Sequence, residues 1–128
     1  MVTILLVEDE TQLRDILSEC LTREGYQVLT APDGLAAKKI LVTAKIELVI
    51  SDVRMPNMNG VDLLKFAKSL PESPKVVMLS GFSDFTRDQL IEMGAVAYLE
   101  KPFTIEQLLA VVQGLVVRPS IDASTEQT

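Results

Sequence analysis

The chain has 128 residues, enough for one domain with a single core. Its 48% apolar content excludes a disordered chain, and its formal net charge of -6 argues against a nonspecific nucleic-acid binder. The lack of histidine rules out a histidine base, a histidine-based zinc site and a phosphohistidine of its own, and a single cysteine, Cys20, allows no internal disulfide. No apolar run approaches the ~18 residues of a membrane span, and Met1-Val2-Thr3 lacks the basic start of a secretory signal. A cytoplasmic chain with no membrane partner is expected.

Residues 2–7 read as a first strand, ending in Glu8-Asp9-Glu10. Residues 10–24 follow as an amphipathic helix, with Leu13, Ile16, Leu17, Cys20 and Leu21 on one face; Cys20 is expected to be a buried, inert thiol. Gly25 suits the left-handed stop of that helix. Residues 26–30 form a second strand, Asp33-Gly34 a turn, and residues 35–44 a second helix with Ala36, Ala37, Ile40 and Leu41 inward. The third strand, residues 47–51, carries the apolar run Leu48-Val49-Ile50 and leads into Asp52-Val53-Arg54-Met55-Pro56. After Gly60 comes a third helix over residues 61–70, with Val61, Leu64, Ala67 and Leu70 on one side. Residues 75–80 are the fourth strand. A helix near residues 84–93 has the weakest apolar face of the set, and residues 96–99 are the fifth strand. Thr104-Ile105-Glu106-Gln107 has the form of a capping box and opens a last helix to about residue 116. The polar stretch 118–128 reads as a frayed tail or the start of a linker, leaving residues 1–117 as the domain.

Strand and helix alternate five times. That pattern implies an α/β domain, a doubly wound (βα)5 fold with a parallel five-stranded sheet. The common five-strand solution is the flavodoxin-like order 2-1-3-4-5. Sites in such sheets lie at the carboxyl edge of the strands, where this chain places Glu8, Asp9, Asp52, Ser80 and Lys101. Three carboxylates gathered there repel one another by ~4 kcal/mol per pair at 4 Å and an effective dielectric near 20. A hard divalent cation such as Mg²⁺ offsets that, and Lys101 adds a second positive charge. Asp52, set between metal and ammonium, is then a carboxylate able to attack a phosphoryl group and form an aspartyl phosphate, with Ser80 donating to a transferred oxygen.

Four spaced motifs carry a family resemblance: Leu6-Val7-Glu8-Asp9-Glu10, Asp52-Val53-Arg54-Met55-Pro56 with Gly60, Leu79-Ser80-Gly81, and Tyr98-Leu99-Glu100-Lys101-Pro102-Phe103. Over about residues 2–116 the chain resembles the receiver domain of bacterial two-component response regulators, of the chemotaxis-regulator kind. The resemblance implies that Asp52 accepts phosphate from a sensor histidine kinase or a His phosphotransfer protein. It implies Mg²⁺ bound by Asp9, Asp52 and the backbone carbonyl of Arg54, with Glu8 acting through a metal-bound water. Lys101 would pair with the phosphoryl group, Ser80 and Tyr98 would form the switch pair, and Lys101-Pro102 would be cis. Glu8 stands where many members have Asp, and Ser80 where Thr is frequent. Arg54 and Phe82 flank the path of the hydrolytic water in the family, and two bulky side chains there are expected to slow loss of the phosphate.

The chain catalyses only its own phosphorylation and slow dephosphorylation on this reading, and is otherwise a switch. Output would pass through the fourth helix, fifth strand and last helix to a downstream protein target or effector domain, with no direct nucleic-acid binding by this chain. The alternative is a receiver-like interaction module that works without phosphorylation. A nucleotide- or flavin-binding module is disfavoured, because Glu8-Asp9-Glu10 stands where phosphate-cradling donors are needed. A phosphatase of the haloacid dehalogenase type is disfavoured by Arg54, which occupies the position of that family's second Asp.

Overall fold

The computed structural model describes residues 2–55, 57–81 and 85–116. Its elements alternate along the chain: β1 (Thr3–Val7), α1 (Thr11–Arg23), β2 (Gln27–Ala31), α2 (Gly34–Thr43), β3 (Leu48–Asp52), α3 (Gly60–Lys68), β4 (Lys75–Ser80), α4 (Arg87–Glu92), β5 (Ala97–Glu100) and α5 (Ile105–Leu115). All strand pairs are parallel, in the order β2-β1-β3-β4-β5, which is the expected flavodoxin-like arrangement. Phe82, residue 84 and the polar stretch 118–128 lie outside the described residues.

The apolar runs of the central strands are continuous because both sheet faces are covered. Alternate residues serve different cores. Leu5, Val7, Val49, Val76 and Met78 pack with Ala37, Leu41, Leu64, Ala67 and Leu90 of α2, α3 and α4. Ile4, Leu6, Leu48, Ile50, Val77 and Leu79 pack with Leu17 and Leu21 of α1 and Leu108 and Val112 of α5. Each such side chain contributes ~1.5–3 kcal/mol by leaving water, and together they lock the strand ends at one level. Among the described residues no helix is long and apolar enough to cross a membrane.

Local chemistry places the helix ends. Gly25 closes α1 with φ 95°, as expected. Asp33 is more than a turn residue: its side chain accepts from Ala36 N and caps α2, so the helix begins at Gly34. The expected capping box of Thr104 and Gln107 opens α5, and Thr86 with Gln89 forms a second one on α4. That helix has six residues and one buried side chain, Leu90, which accounts for its weak pattern.

The buried face of α1 is narrower than its spacing predicts. Leu17 and Leu21 are buried, but Ile16 is 51% exposed and Cys20 only partly buried. Ile16 lies about 100° around the helix from Leu17, beyond the strip that touches the sheet, and Cys20 lies on the same flank. A Leu or Ile at helical spacing marks a face without fixing its width.

Candidate functional site

The sheet register sets the ends of four strands side by side. Val7 pairs with Ser51, Asp52 with Leu79, and Ser80 with Glu100. Asp52 is therefore the last residue of β3 and lies inside the ladder, one position earlier than a loop residue would. Backbone hydrogen bonds carry the pairing onward: Glu8 N donates to Ala31 O, Val53 N to Leu79 O and Lys101 N to Ser80 O. Glu8, Asp52, Ser80 and Lys101 are thus aimed by main chain.

These residues line one cavity of about 390 Å³ together with Asp9, Glu10, Val53, Arg54, Leu79 and Gly81. Glu8 is 1% exposed and Asp52 5% exposed, whereas Asp9 faces solvent. One carboxylate oxygen from each of Glu8, Asp9 and Asp52 lies within 4.8 Å of the others. Lys101 Nζ stands 2.8 Å from Asp52 Oδ1 and 3.4 Å from Glu8 Oε1. The ammonium approaches Oδ1 off the hydrogen-bonding direction, so this fully buried oxygen has a charge contact but no hydrogen bond. A buried carboxylate oxygen without a hydrogen bond is costly, and here the Lys101 ammonium offsets part of that cost at the wall of the cavity that Asp52 lines.

The charges explain the titration behaviour. Burial, and then the neighbouring Asp52, push the Glu8 carboxyl above its ordinary value; the Glu10 amide and Lys101 pull it down by less. Burial works against the Lys101 ammonium, but Asp52 and Glu8 outweigh it and hold its pKa above the usual lysine value. The donor set is all hard oxygen, from three carboxylates, with the Lys101 ammonium beside it. It fits a divalent cation of the Mg²⁺ type.

The loop after β3 closes tightly. Gly60 N donates to Val53 O at 2.7 Å, and Asn59 caps α3 through Asp62 N. A Cβ on Gly60 would overlap the carbonyl oxygen of Asp52, so this position requires glycine for close approach. Arg54 is on the cavity wall within this loop.

The structure brings together Glu8, Asp9, Asp52, Arg54, Ser80 and Lys101. Tyr98 is elsewhere. It pairs with Met78 in the sheet, is half-buried, and packs against the core on the α3 and α4 side. Ser80, two residues beyond Met78, shares that sheet face and is 4% exposed. The Lys101-Pro102 bond is cis. Sequence reading passed over Arg14, whose guanidinium donates to the Glu8 carbonyl oxygen at 2.8 Å from α1. No periodicity marks such a contact, since it depends on where β1 ends against the helix.

The family description "Response regulator receiver domain" matches residues 4–113. The chain is 36% identical over 115 residues to the transcriptional regulatory protein CpxR of Escherichia coli (strain K12), which covers 90% of this chain and 49% of CpxR. It is 33% identical over 106 residues to sporulation initiation phosphotransferase F of Bacillus subtilis (strain 168), covering 82% of this chain and 86% of that protein. The chain thus spans about half the length of the transcriptional regulators it matches. Among solved structures, TrrA from Thermotoga maritima in complex with Mg(2+)-BeF superposes with TM-score 0.81 at 31% identity, over 91% of this chain and all (100%) of that one. The chemotaxis response regulator CheY4 of Vibrio cholerae superposes with TM-score 0.82 at 32% identity, over 91% and 99%. Strand order, an acidic cluster at the carboxyl edge and these matches agree: the chain belongs to the response regulator receiver domain family.

Proposed function

We propose that Asp52 accepts a phosphoryl group from the phosphohistidine of a partner kinase or phosphotransfer protein and that the phosphorylated domain presents an altered protein-binding surface. The observation that carries this reading is the Asp52 carboxylate itself, buried at the end of β3 with Oδ1 2.8 Å from Lys101 Nζ and the Glu8–Asp9 pair beside it. An Asp52 oxygen forms the new bond to phosphorus as the phosphorus–nitrogen bond of the donor breaks, and the leaving imidazole takes up a proton. Lys101 offsets the charge on the transferred oxygens, and the Ser80 hydroxyl donates to one of them. Asp9, Asp52 and the Arg54 carbonyl would hold a Mg²⁺, with Glu8 acting through a bound water, and the ion would supply further charge neutralisation.

The receiver extends over residues 1–117 on this reading and is cytoplasmic, acting as a switch rather than on an external substrate. Ser80 and Tyr98 share a sheet face, so movement of the hydroxyl toward a phosphate leaves room for the ring to turn inward. The surface of α4, β5 and α5 is the output, and a downstream protein or effector domain reads it. TrrA, solved with Mg(2+)-BeF, supports the same chemistry here.

Intact mass after incubation with acetyl phosphate and Mg²⁺ is the test, beside an Asp52→Asn control. One added phosphoryl group in wild type alone is the expected result. No adduct from acetyl phosphate or from a phosphorylated histidine donor, together with no Mg²⁺ binding, would overturn the reading and leave an interaction module that works without phosphate.

A further inference from the structure

The loop between β3 and α3 is pressed between two backbones. At one side Gly60 lies against the Asp52 carbonyl; at the other a Cβ on Gly34, the first residue of α2, would overlap the Met58 carbonyl oxygen and stand 2.7 Å from the Met58 Cβ. One side-chain pair fastens the same side. Asn57 Nδ2 donates to Asp33 Oδ2 at 2.6 Å, across 24 residues of chain. Asp33 divides its oxygens: Oδ1 caps α2 through Ala36 N at 2.9 Å, and Oδ2 takes Asn57.

Asn57 has φ 69°, the one positive φ among the described non-glycine residues. That conformation persists in a side-chain-bearing residue when its surroundings fix it. Neither helix cap explains Asn57, since Asp33 needs only Oδ1 for α2 and Asn59 serves α3. The bond ties Asn57 to the start of α2, and Asn57 follows Arg54, on the cavity wall, by three residues.

We propose that Asp33 and Asn57 are positioning residues, whose hydrogen bond, backed by the Gly34–Met58 contact, holds the β3–α3 loop so that the Arg54 carbonyl is presented to a divalent cation at the Asp9–Asp52 cluster. This rests on the reading of that cluster as the Mg²⁺ site. Hydrogen bonds to an ionised acceptor are the stronger kind, which suits a tie that must hold a loop without burial. Partners outside the ligand set commonly tune a metal site in this way.

Three variants separate the tie from the cap. Asp33→Ser keeps one oxygen for α2, where serine is a good cap, and has none for Asn57. Asn57→Gly keeps the left-handed backbone and loses the donor. Asp33→Asn keeps the cap and can still bond Asn57 once one amide is reversed. Calorimetric titration of the full chain with Mg²⁺ reads affinity, and thermal midpoints without metal read the fold. Asp33→Ser and Asn57→Gly are each expected to weaken Mg²⁺ binding about tenfold, the double variant no more than either single one, and Asp33→Asn to stay close to wild type. In phosphorylation by acetyl phosphate, the Mg²⁺ requirement should rise while the rate at saturating Mg²⁺ holds. Wild-type affinity in both Asp33→Ser and Asn57→Gly, or losses that add in the double variant, overturns the tie and leaves the acceptor reading standing. A wild-type chain that binds no Mg²⁺ overturns the acceptor reading and the tie with it.

Discussion

Glu8 shows what one methylene and a buried setting do to a carboxylate. Its side chain accepts from Glu10 N at 3.0 Å and meets Lys101, yet burial and Asp52 still raise its pKa. A raised carboxyl means that the folded chain holds a proton the unfolded chain has lost, so stability of the metal-free protein falls as pH rises from the unfolded value of about 4.3 through the folded one. Glu8→Gln, free of that cost, is expected to be more stable than wild type at neutral pH without Mg²⁺, with the gap closing below about pH 4. Urea midpoints across pH check it; a gap independent of pH would refute the titration account. Gly60 gives a second test. Gly60→Ala drives a Cβ into the Asp52 carbonyl, and the overpacking should cost about 1–3 kcal/mol, read from urea unfolding.

Helices with the same capping chemistry should respond differently according to what they bury. Thr104→Ala removes the box of α5, which anchors Leu108 and Val112 in the core, and should lower global stability by about 1 kcal/mol. Thr86→Ala removes the same box from the six-residue α4, which buries Leu90 alone. Its expected effect is a loss of amide-exchange protection confined to α4, with a smaller change in the global midpoint, because a short helix opens locally. The cap of α2 also carries a pH signature. The Ala36 amide, and then Asn57, hold the Asp33 carboxyl below its ordinary value. Its contribution is full above the unfolded pKa near 3.9 and is lost as pH falls through the folded value, so Asp33→Ala should flatten the acid limb of the stability curve.

For the whole molecule, a Mg²⁺ bound at the acidic cluster would couple folding to metal. A ligand that binds only the folded chain stabilises it by about 1.4 kcal/mol at ten times its dissociation constant. In a chain of this size that is a rise of about 5 °C in the thermal midpoint. Mg²⁺ should produce it in wild type and much less in Asp52→Asn; equal shifts in both would place the ion elsewhere. The same architecture divides labour between faces. One face buries α1 and α5 and the other α2, α3 and α4, while the site lies at the strand edge, floored by Val53 of one core and Leu79 of the other.

Much of this was legible in the chain itself. Continuous apolar runs broken by amphipathic stretches required a parallel sheet covered on both faces, and runs ending in Glu8, Asp9, Asp52, Ser80 and Lys101 brought chemistry to one edge. Those signals are local, written in spacing and in the residue that follows a strand. The tertiary structure alone decided which carboxylates are buried and which is exposed, that Ile16 and Cys20 fall outside the core strip, and that Tyr98 packs outside the cavity. It also decided the pairs made across long separations: Lys101 with Glu8 over 93 residues, and Asn57 with Asp33 over 24. Periodicity carries no record of such pairs, because they arise from strand order and from how tightly a loop is pressed between its neighbours.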